Sequence, residues 1–348
     1  MKEIVNWGII GAGNAAINLA KNFKDLPNAK LVGIASKNEE KRLYFKNEFK
    51  INKKNIYQNY ESILENKDID IVYIALPHNM HKEWCINASI KKKHILVEKP
   101  ATLSAHDIKQ VINQVKKDKV FFAEGIAYQF HPFFLEVLST MKQINPNDII
   151  SIKSSFGNDT IGGKKIFGFR FKKPKKTKRH FNPNLGGGAI WDTGCYPISA
   201  TRHIVSAIYG DQNIHTKILD VKKKIGSTGV DEHAYIELQF NAINAYLETS
   251  LDSVLKNNIE IELKNGKITI VNPWFPEKSS YMEIFKNGKK KIIKPFNEVD
   301  TYKNEIKIIS DLIIEGKLEY ENLFSNYNDI YQNILILEKW FKFKDNSY

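Results

Sequence analysis

The first 125 residues alternate short apolar runs with longer amphipathic segments. Apolar runs cover 4–10, 30–36, 69–77, 94–100 and 120–125, and helical patterns lie between them near 14–24, 39–49, 80–92 and 105–116. Continuously apolar strands that alternate with helices are typical of a parallel sheet with helices on both faces. The pattern therefore predicts a doubly wound α/β domain over 1–125, with Asn38 and Ser104 as helix N-caps.

The pattern changes after residue 126. The segments 148–157, 231–240, 245–251, 258–272 and 280–285 alternate apolar and polar residues, and Asn265-Gly266 is a hairpin turn signal. Two amphipathic helices are expected near 302–315 and 325–342. We predict an α+β domain over 126–348, built on an open, mostly antiparallel sheet with one solvated or partnered face.

A glycine motif joins the first predicted strand to the first predicted helix. It reads Gly11-x-Gly13-x-x-Ala16. Gly11 permits the tight turn, Gly13 lets the backbone approach a pyrophosphate, and the helix start at Asn14 and Ala15 offers free N–H groups to phosphate. At this position the motif predicts a dinucleotide-binding Rossmann domain.

The end of the second predicted strand bears on the choice of cofactor. An acidic residue there would bind a ribose 2′-hydroxyl and favour NAD. This chain has Ser36 and Lys37 at that position, with Lys41 one helical turn later. A hydroxyl and two ammonium groups suit a 2′-phosphate, so we expect NADP, with NAD as the alternative.

Composition narrows the possible partners. The net charge is +13, but the basic runs are short and scattered, and no nucleic-acid reader motif accompanies them. We expect a lysine-rich solvated surface, no nucleic-acid partner and no membrane partner. Two cysteines give no disulfide framework and no metal cluster, which favours a cytoplasmic protein.

The order of several motifs resembles that of the glucose–fructose oxidoreductase / inositol dehydrogenase / MocA family. The motifs are "GIIGAGNAA" (8–16), "YIALPHNMH" (73–81), "VEKPATLS" (97–104), "AEGIAYQFHP" (123–132) and "GGGAIWDTGCYP" (186–197). Tyr196 stands where many members have histidine, which resembles the branch with glucose–fructose oxidoreductase and dimeric dihydrodiol dehydrogenase. Gln129 replaces an expected arginine.

The resemblance implies a reaction and the residues that perform it. Lys99 would lie beside the nicotinamide, and Asp192 and Tyr196 would reach it from the second domain. Tyrosine has a pKa of about 10, so it needs the nearby Lys99 ammonium to become a usable base. Asp192 would orient the substrate hydroxyl or hold Lys99. Pro197 makes a helix break near Gly194 necessary.

The same resemblance extends the site. Additional cofactor contacts are expected from Pro77, His81 and Glu98, and additional substrate contacts from Tyr128 and Trp191. It also implies a cis peptide bond between Lys99 and Pro100.

Structural interpretations of these residues remain open. Asp192 could serve merely as a helix cap. Tyr196 could be a core aromatic, and His81 and His131 could be structural histidines. Cys195 is expected to pack rather than react, because nothing indicates a base beside it.

The sequence therefore predicts an NADP-dependent oxidoreductase that acts on a sugar, a sugar derivative or a vicinal diol, as a homodimer or homotetramer. A ketone or imine reductase is an alternative enzyme. A catalytically silent cofactor-sensing or scaffold protein of the same fold is the alternative from another class.

Overall fold

A computed structural model of the chain describes residues 3–162, 165–166, 169–170, 172–210, 214–295, 300–320 and 326–343. The contacts divide the chain into two compact units. The first comprises 1–130 and 299–334, and the second comprises 131–298 and 335–348. The sequence analysis had placed everything after residue 125 in the second domain, whereas the structure assigns 299–334 to the first unit. The first residue of the helix expected at 325–342 lies outside the described residues.

The first unit begins with an alternation of strands and helices. In chain order it contains β1 (Val5–Ile10), α1 (Asn14–Ala20), β2 (Ala29–Ala35), α2 (Glu39–Glu48), β3 (Ile56–Tyr57), α3 (Tyr60–Glu65), β4 (Ile71–Ile74), α4 (His81–Ile90), β5 (His94–Glu98), α5 (Ala105–Asp118) and β6 (Phe122–Gly125). The six strands are parallel, in the order β3-β2-β1-β4-β5-β6. This is the predicted doubly wound sheet.

Local capping also follows the sequence. The Asn38 side chain accepts the N–H of Lys41 at the start of α2, and the Ser104 hydroxyl accepts the N–H of Asp107 at the start of α5. Each cap satisfies one of the N–H groups that a helix start leaves without an intrahelical partner.

The second unit is built on an eight-stranded sheet. In chain order its elements are α6 (Pro132–Met141), β7 (Ile149–Gly157), β8 (Lys165–Ile166), β9 (Phe169–Arg170), α7 (Ala189–Asp192), α8 (Cys195–Tyr209), β10 (Thr216–Ile225), β11 (Asp231–Phe240), β12 (Ile243–Ser250), β13 (Asn258–Leu263), β14 (Gly266–Val271), β15 (Tyr281–Lys286) and β16 (Lys289–Ile293). The sheet order is β10-β11-β12-β7-β13-β14-β15-β16, and only β12 and β7 pair in parallel.

One face of the large sheet belongs to the core. Residues of β11 and β12 alternate between buried and half-buried, and α7 and α8 pack against β7, β11 and β12 on the buried side. The alternation therefore has the predicted physical cause, since side chains point to opposite faces along a strand. The expected hairpin also forms, because Leu263 pairs with Gly266.

Two helices come last among the described elements. They are α9 (Thr301–Ile314) and α10 (Tyr327–Lys342), and the boundary between the units falls inside α10. The helix α9 packs in the first unit, where Ser310 accepts a buried hydrogen bond of 3.0 Å from the indole N–H of Trp7 in β1. No helix among the described residues is long and apolar enough to cross a membrane.

Candidate active site

The turn between β1 and α1 has the features that a dinucleotide requires. Gly11 has a φ of +99°, and a Cβ there would clash with the carbonyl oxygen of Ala75, so only glycine fits. At Gly13 an added Cβ would meet nothing within 4 Å. No side chain caps the start of α1 at Gly13. Protein packing therefore does not require glycine at Gly13, whereas a phosphate group at the helix start would.

The residues expected beside an adenosine ribose lie together at the end of β2. Ser36 is buried and its hydroxyl accepts the N–H of Asn38 at 3.3 Å, while Lys37 and Lys41 are exposed. The sequence analysis missed Arg42, whose guanidinium donates to the Ser36 carbonyl at 2.5 Å. The sequence carried a signal for Arg42, because it is a cation about one helical turn after the start of α2.

Lys99 follows β5 and precedes a cis peptide bond to Pro100, as predicted. Its side chain is half-buried. The side-chain carboxyl of Glu124 in β6 accepts the N–H of Ala101 at 2.7 Å. This hydrogen bond positions the backbone immediately after the cis peptide bond. Glu124 was not among the predicted site residues.

Glu98 lies in a group of acids and phenols. It accepts a short hydrogen bond from the Tyr73 hydroxyl. Burial raises the pKa values of Tyr302 and Glu305, and the charge of Glu98 raises them further. All four residues belong to the first unit. Because Tyr302 and Glu305 are on α9, sequence order alone could not place them near Glu98.

His81 is fully buried, and its ring bridges two turns. Its Nδ1 lies 2.8 Å from the Pro100 carbonyl oxygen, and its Nε2 lies 2.9 Å from the Leu76 carbonyl oxygen. Both ring nitrogens are therefore engaged by the protein backbone, which favours the structural interpretation over a direct cofactor contact. Pro77, which lies in the turn after β4, is half-buried.

Asp192 and Tyr196 lie on consecutive helices that break between them. The helix α7 ends at Asp192, α8 begins at Cys195, and Thr193 and Gly194 separate them, as Pro197 predicted. The two residues are 6% and 7% exposed. Tyr196 lies among the rings of Phe156, Trp274 and Phe275, with centroids 4.7, 6.0 and 5.9 Å away.

A buried carboxyl fixes the start of α7. The Asp231 Oδ2 accepts the N–H of Ile190 at 2.7 Å, and a Cβ on Gly188 would clash with Oδ1. Burial raises the pKa of Asp231 to about 7, against the opposing effect of the Ile190 N–H. Asp231 is thus a positioning residue for the segment that carries Asp192.

The two remaining predicted substrate contacts are buried. Tyr128 has no exposed surface, and Trp191 is 3% exposed with its ring 5.5 Å from that of Phe341. The ring of His131 caps α6 by accepting the N–H of Phe133 at 3.1 Å, which is a structural role.

Burial raises the pKa of the Cys85 thiol, and Cys195 is also buried. Among the described residues no group of three or more ligating side chains could hold a metal ion.

Comparison with known proteins places the chain in a family. Residues 5–126 match the oxidoreductase family with an NAD-binding Rossmann fold, and residues 151–269 match the GFO/IDH/MocA C-terminal domain. These matches cover more than half of the chain. The protein therefore belongs to the GFO/IDH/MocA family of oxidoreductases, as the motifs had indicated.

Individual relatives are distant in sequence. A trans-1,2-dihydrobenzene-1,2-diol dehydrogenase of Xenopus tropicalis is 27% identical over 82% of this chain and 79% of its own length. A D-xylose 1-dehydrogenase (NADP(+)) of Haloferax volcanii is 24% identical over 89% and 90%. A 3-ketoreductase of Actinomadura kijaniata, crystallised with NADP and TDP-benzene, has a TM-score of 0.82 at 19% identity, over 97% and 96% of the two chains.

The ionisation of Glu124 generates a prediction about stability. Burial, with smaller effects from Asp329 and Glu98, raises the pKa of Glu124 to about 8, and the Ala101 N–H and Lys99 oppose the shift. In the unfolded chain this carboxyl ionises near pH ~4.3. The contribution of Glu124 to stability is therefore lost as pH rises from about 4.3 to 8, because ionisation is easier in the unfolded chain.

Glu124→Gln keeps an oxygen for the Ala101 N–H but cannot ionise. Its melting temperature should therefore rise relative to wild type between pH 5 and pH 8, measured by calorimetry at each pH. Glu40→Gln, at an exposed position, is the matched control. Parallel pH curves for wild type and Glu124→Gln would contradict the assignment.

Proposed function

We propose that the protein is an NADP-dependent oxidoreductase that transfers a hydride between the nicotinamide and a hydroxyl-bearing carbon of a sugar, a sugar derivative or a vicinal diol. The open, uncapped start of α1 at Gly13 carries the cofactor half of this proposal. The substrate half is supported by relatives that are named for diols and sugars. A screen of sugars, sugar nucleotides and diols, in which turnover is monitored by the absorbance of NADPH, tests this proposal. Bound cofactor without turnover of any compound would favour the silent scaffold alternative.

The preference for NADP is supported by the end of β2. Lys37, Lys41 and Arg42 provide cations there, with the Ser36 hydroxyl beside them and no acidic side chain at positions 36–38. Cations favour a ribose 2′-phosphate, whereas a carboxylate favours the 2′-hydroxyl of NAD. Solved relatives of the fold include complexes with NADP and with NADH, so the fold itself does not decide the preference.

The wild-type protein should bind NADPH more tightly than NADH in a titration of nicotinamide fluorescence. Lys37→Glu should reduce or reverse this preference, since it exchanges a cation for a carboxylate at the strand end. Lys50→Glu makes the same charge change at an exposed lysine beyond α2, and it should leave the preference intact. Equal or tighter NADH binding by wild type would exclude the NADP assignment.

The chemistry is assigned to three side chains. The nicotinamide, when bound, accepts or supplies the hydride at carbon, and the protein has to move the hydroxyl proton. We assign the proton to Tyr196, the stabilisation of its phenolate to the Lys99 ammonium, and the orientation of the substrate hydroxyl to Asp192. The family resemblance and the buried positions of Asp192 and Tyr196 support this assignment.

Tyr196→Phe should fold and bind NADPH normally but lose most turnover, because Phe keeps the ring and removes only the hydroxyl. Positioned acid–base groups contribute ~10²–10⁴ in rate, and Lys99→Met should give a comparable loss. The two losses should not add in the double mutant, because both disable one proton path. Normal kcat in Tyr196→Phe would make the tyrosine a packing residue.

We further propose a homodimer or homotetramer formed through the sheet face that α7 and α8 leave uncovered. A cavity of about 900 Å³ lies there, lined in part by Tyr235, Tyr246 and Glu248. The neighbouring Val254 and Ile150 side chains are 71% and 49% exposed. A partly apolar face of this kind is typical of an interface between subunits. A cytoplasmic location likewise remains a prediction, based on the two buried cysteines and the absence of a disulfide framework in the sequence.

Light scattering at micromolar concentration should report two or four times the mass of the chain. Tyr246→Lys should shift the protein toward the monomer, because it places a cation in the middle of the face. Tyr44→Lys, at an exposed position on α2, should not. A monomeric wild-type protein would rule out the assembly.

A further inference from the structure

Two side chains that the sequence analysis overlooked, a guanidinium and an imidazole, hold the carboxylate of Asp192. The Arg179 guanidinium donates to Oδ1 at 2.9 Å, and the Nδ1 of His180 lies 3.0 Å from Oδ2. The Asp192 side chain is 9% exposed, whereas the side chains of Arg179 and His180 are each 32% exposed. His180 therefore connects a buried carboxylate of the proposed site to the protein surface within the second unit.

The local sequence fixes this arrangement through two glycines. Arg179, His180 and Phe181 form a short 3-10 helix, and the Phe181 side chain is fully buried. The His180 carbonyl accepts the N–H of Gly188 at 3.0 Å. An added Cβ on Gly187 would come within 2.7 Å of that carbonyl oxygen and 2.8 Å of the Arg179 carbonyl oxygen. Glycine is thus required for the backbone of the pair to lie against the segment that leads into α7.

The contact defines what the His180 ring can do. A carboxylate only accepts hydrogen bonds, so Asp192 selects the tautomer with hydrogen on Nδ1, which leaves the lone pair on Nε2. An imidazole oriented in this way by a carboxylate can accept a proton at Nε2 while its Nδ1 proton points at the carboxylate. Among the described residues, the charged groups that lie against the ring include the Asp192 carboxylate and the Arg179 guanidinium, whose Nη2 lies 3.4 Å from Nδ1.

The proposed reaction releases a proton at a buried site. Tyr196 is 7% exposed and packs against the rings of Phe156, Trp274 and Phe275. With an oxidised nicotinamide bound, the alcohol carbon would give up a hydride, and the hydroxyl would give up a proton as the carbonyl forms. That proton has to reach water, and in reduction it has to return.

We propose that His180, oriented by Asp192 and Arg179, exchanges this proton between Asp192 and solvent: in reduction Nε2 takes a proton from water while the Nδ1 proton passes to the Asp192 carboxylate, and in oxidation both transfers run in reverse. The inference rests on the proposed function and adds a residue to it. His180 acts here as a proton-exchange residue and needs no direct contact with the substrate.

The first test does not depend on activity. Long-range proton–nitrogen NMR of the histidine rings, with His180 assigned by its loss in His180→Asn, should find the neutral ring protonated at Nδ1. In Asp192→Asn this preference for Nδ1 should be lost. A wild-type ring protonated at Nε2 would overturn the proposal, because the lone pair would then face Asp192. This result would stand even if no substrate were found.

The second test uses turnover of the substrate found in the screen. His180→Asn keeps an N–H donor for Asp192 but has no proton-exchanging nitrogen, so it should lower kcat ~10²-fold, at the lower end of the range for acid–base groups. Its KM, NADPH affinity and melting temperature should change little. His180→Ala should regain turnover as imidazole is added to the buffer.

A positioning role alone would give a different result. His180→Asn would then keep its activity, and imidazole would not restore His180→Ala; either result overturns the proposal. His106→Asn, at a histidine whose side chain is 76% exposed, is the control and should behave as wild type with and without imidazole. Loss of activity in Tyr196→Phe together with full activity in His180→Asn would preserve the proposed function and reject the exchange route.

Discussion

The second half of the site depends on one buried contact, in which the Asp231 carboxyl receives the backbone N–H of Ile190 while Gly188 lies against its other oxygen. Gly188 has a φ of +119°, a backbone conformation that residues other than glycine rarely adopt. Together these constraints fix where α7 begins. The start of α7 in turn determines where Asp192 ends that helix and where the chain breaks before Tyr196.

Close approaches of glycine backbone serve both units, but for different purposes. In the first unit, Gly11 clears the Ala75 carbonyl and Gly13 leaves space that no protein atom fills, which suits a phosphate. In the second unit, Gly187 and Gly188 admit other parts of the chain, namely the Arg179–His180 backbone and Asp231. The first pair of glycines thus prepares a ligand site, and the second pair positions acid–base side chains.

Periodicity was sufficient to predict most elements but not how distant elements meet. Many of the strands, the caps at Asn38 and Ser104 and the break near Gly194 follow from local patterns, and the structure has them, whereas strands such as β10 and β16 were not predicted. The association of α9 with β1 depends on tertiary contacts such as Trp7 with Ser310, which no local pattern reveals. For the same reason, the contacts of Asp192 with Arg179 and His180 were missed, although "RHF" stands only a few residues before the glycines.

The most direct test of the account follows the hydride itself. The protein is incubated with NADPH that carries deuterium at the transferable position of the nicotinamide, together with a panel of keto-sugars and hydroxyketones, and the products are analysed by mass spectrometry. The account predicts that at least one compound gains a single deuterium on the carbon that bears the new hydroxyl, and that Lys99→Met transfers almost none. Deuterium that stays on the bound cofactor with every compound would contradict the assignment of this protein as a sugar or diol oxidoreductase.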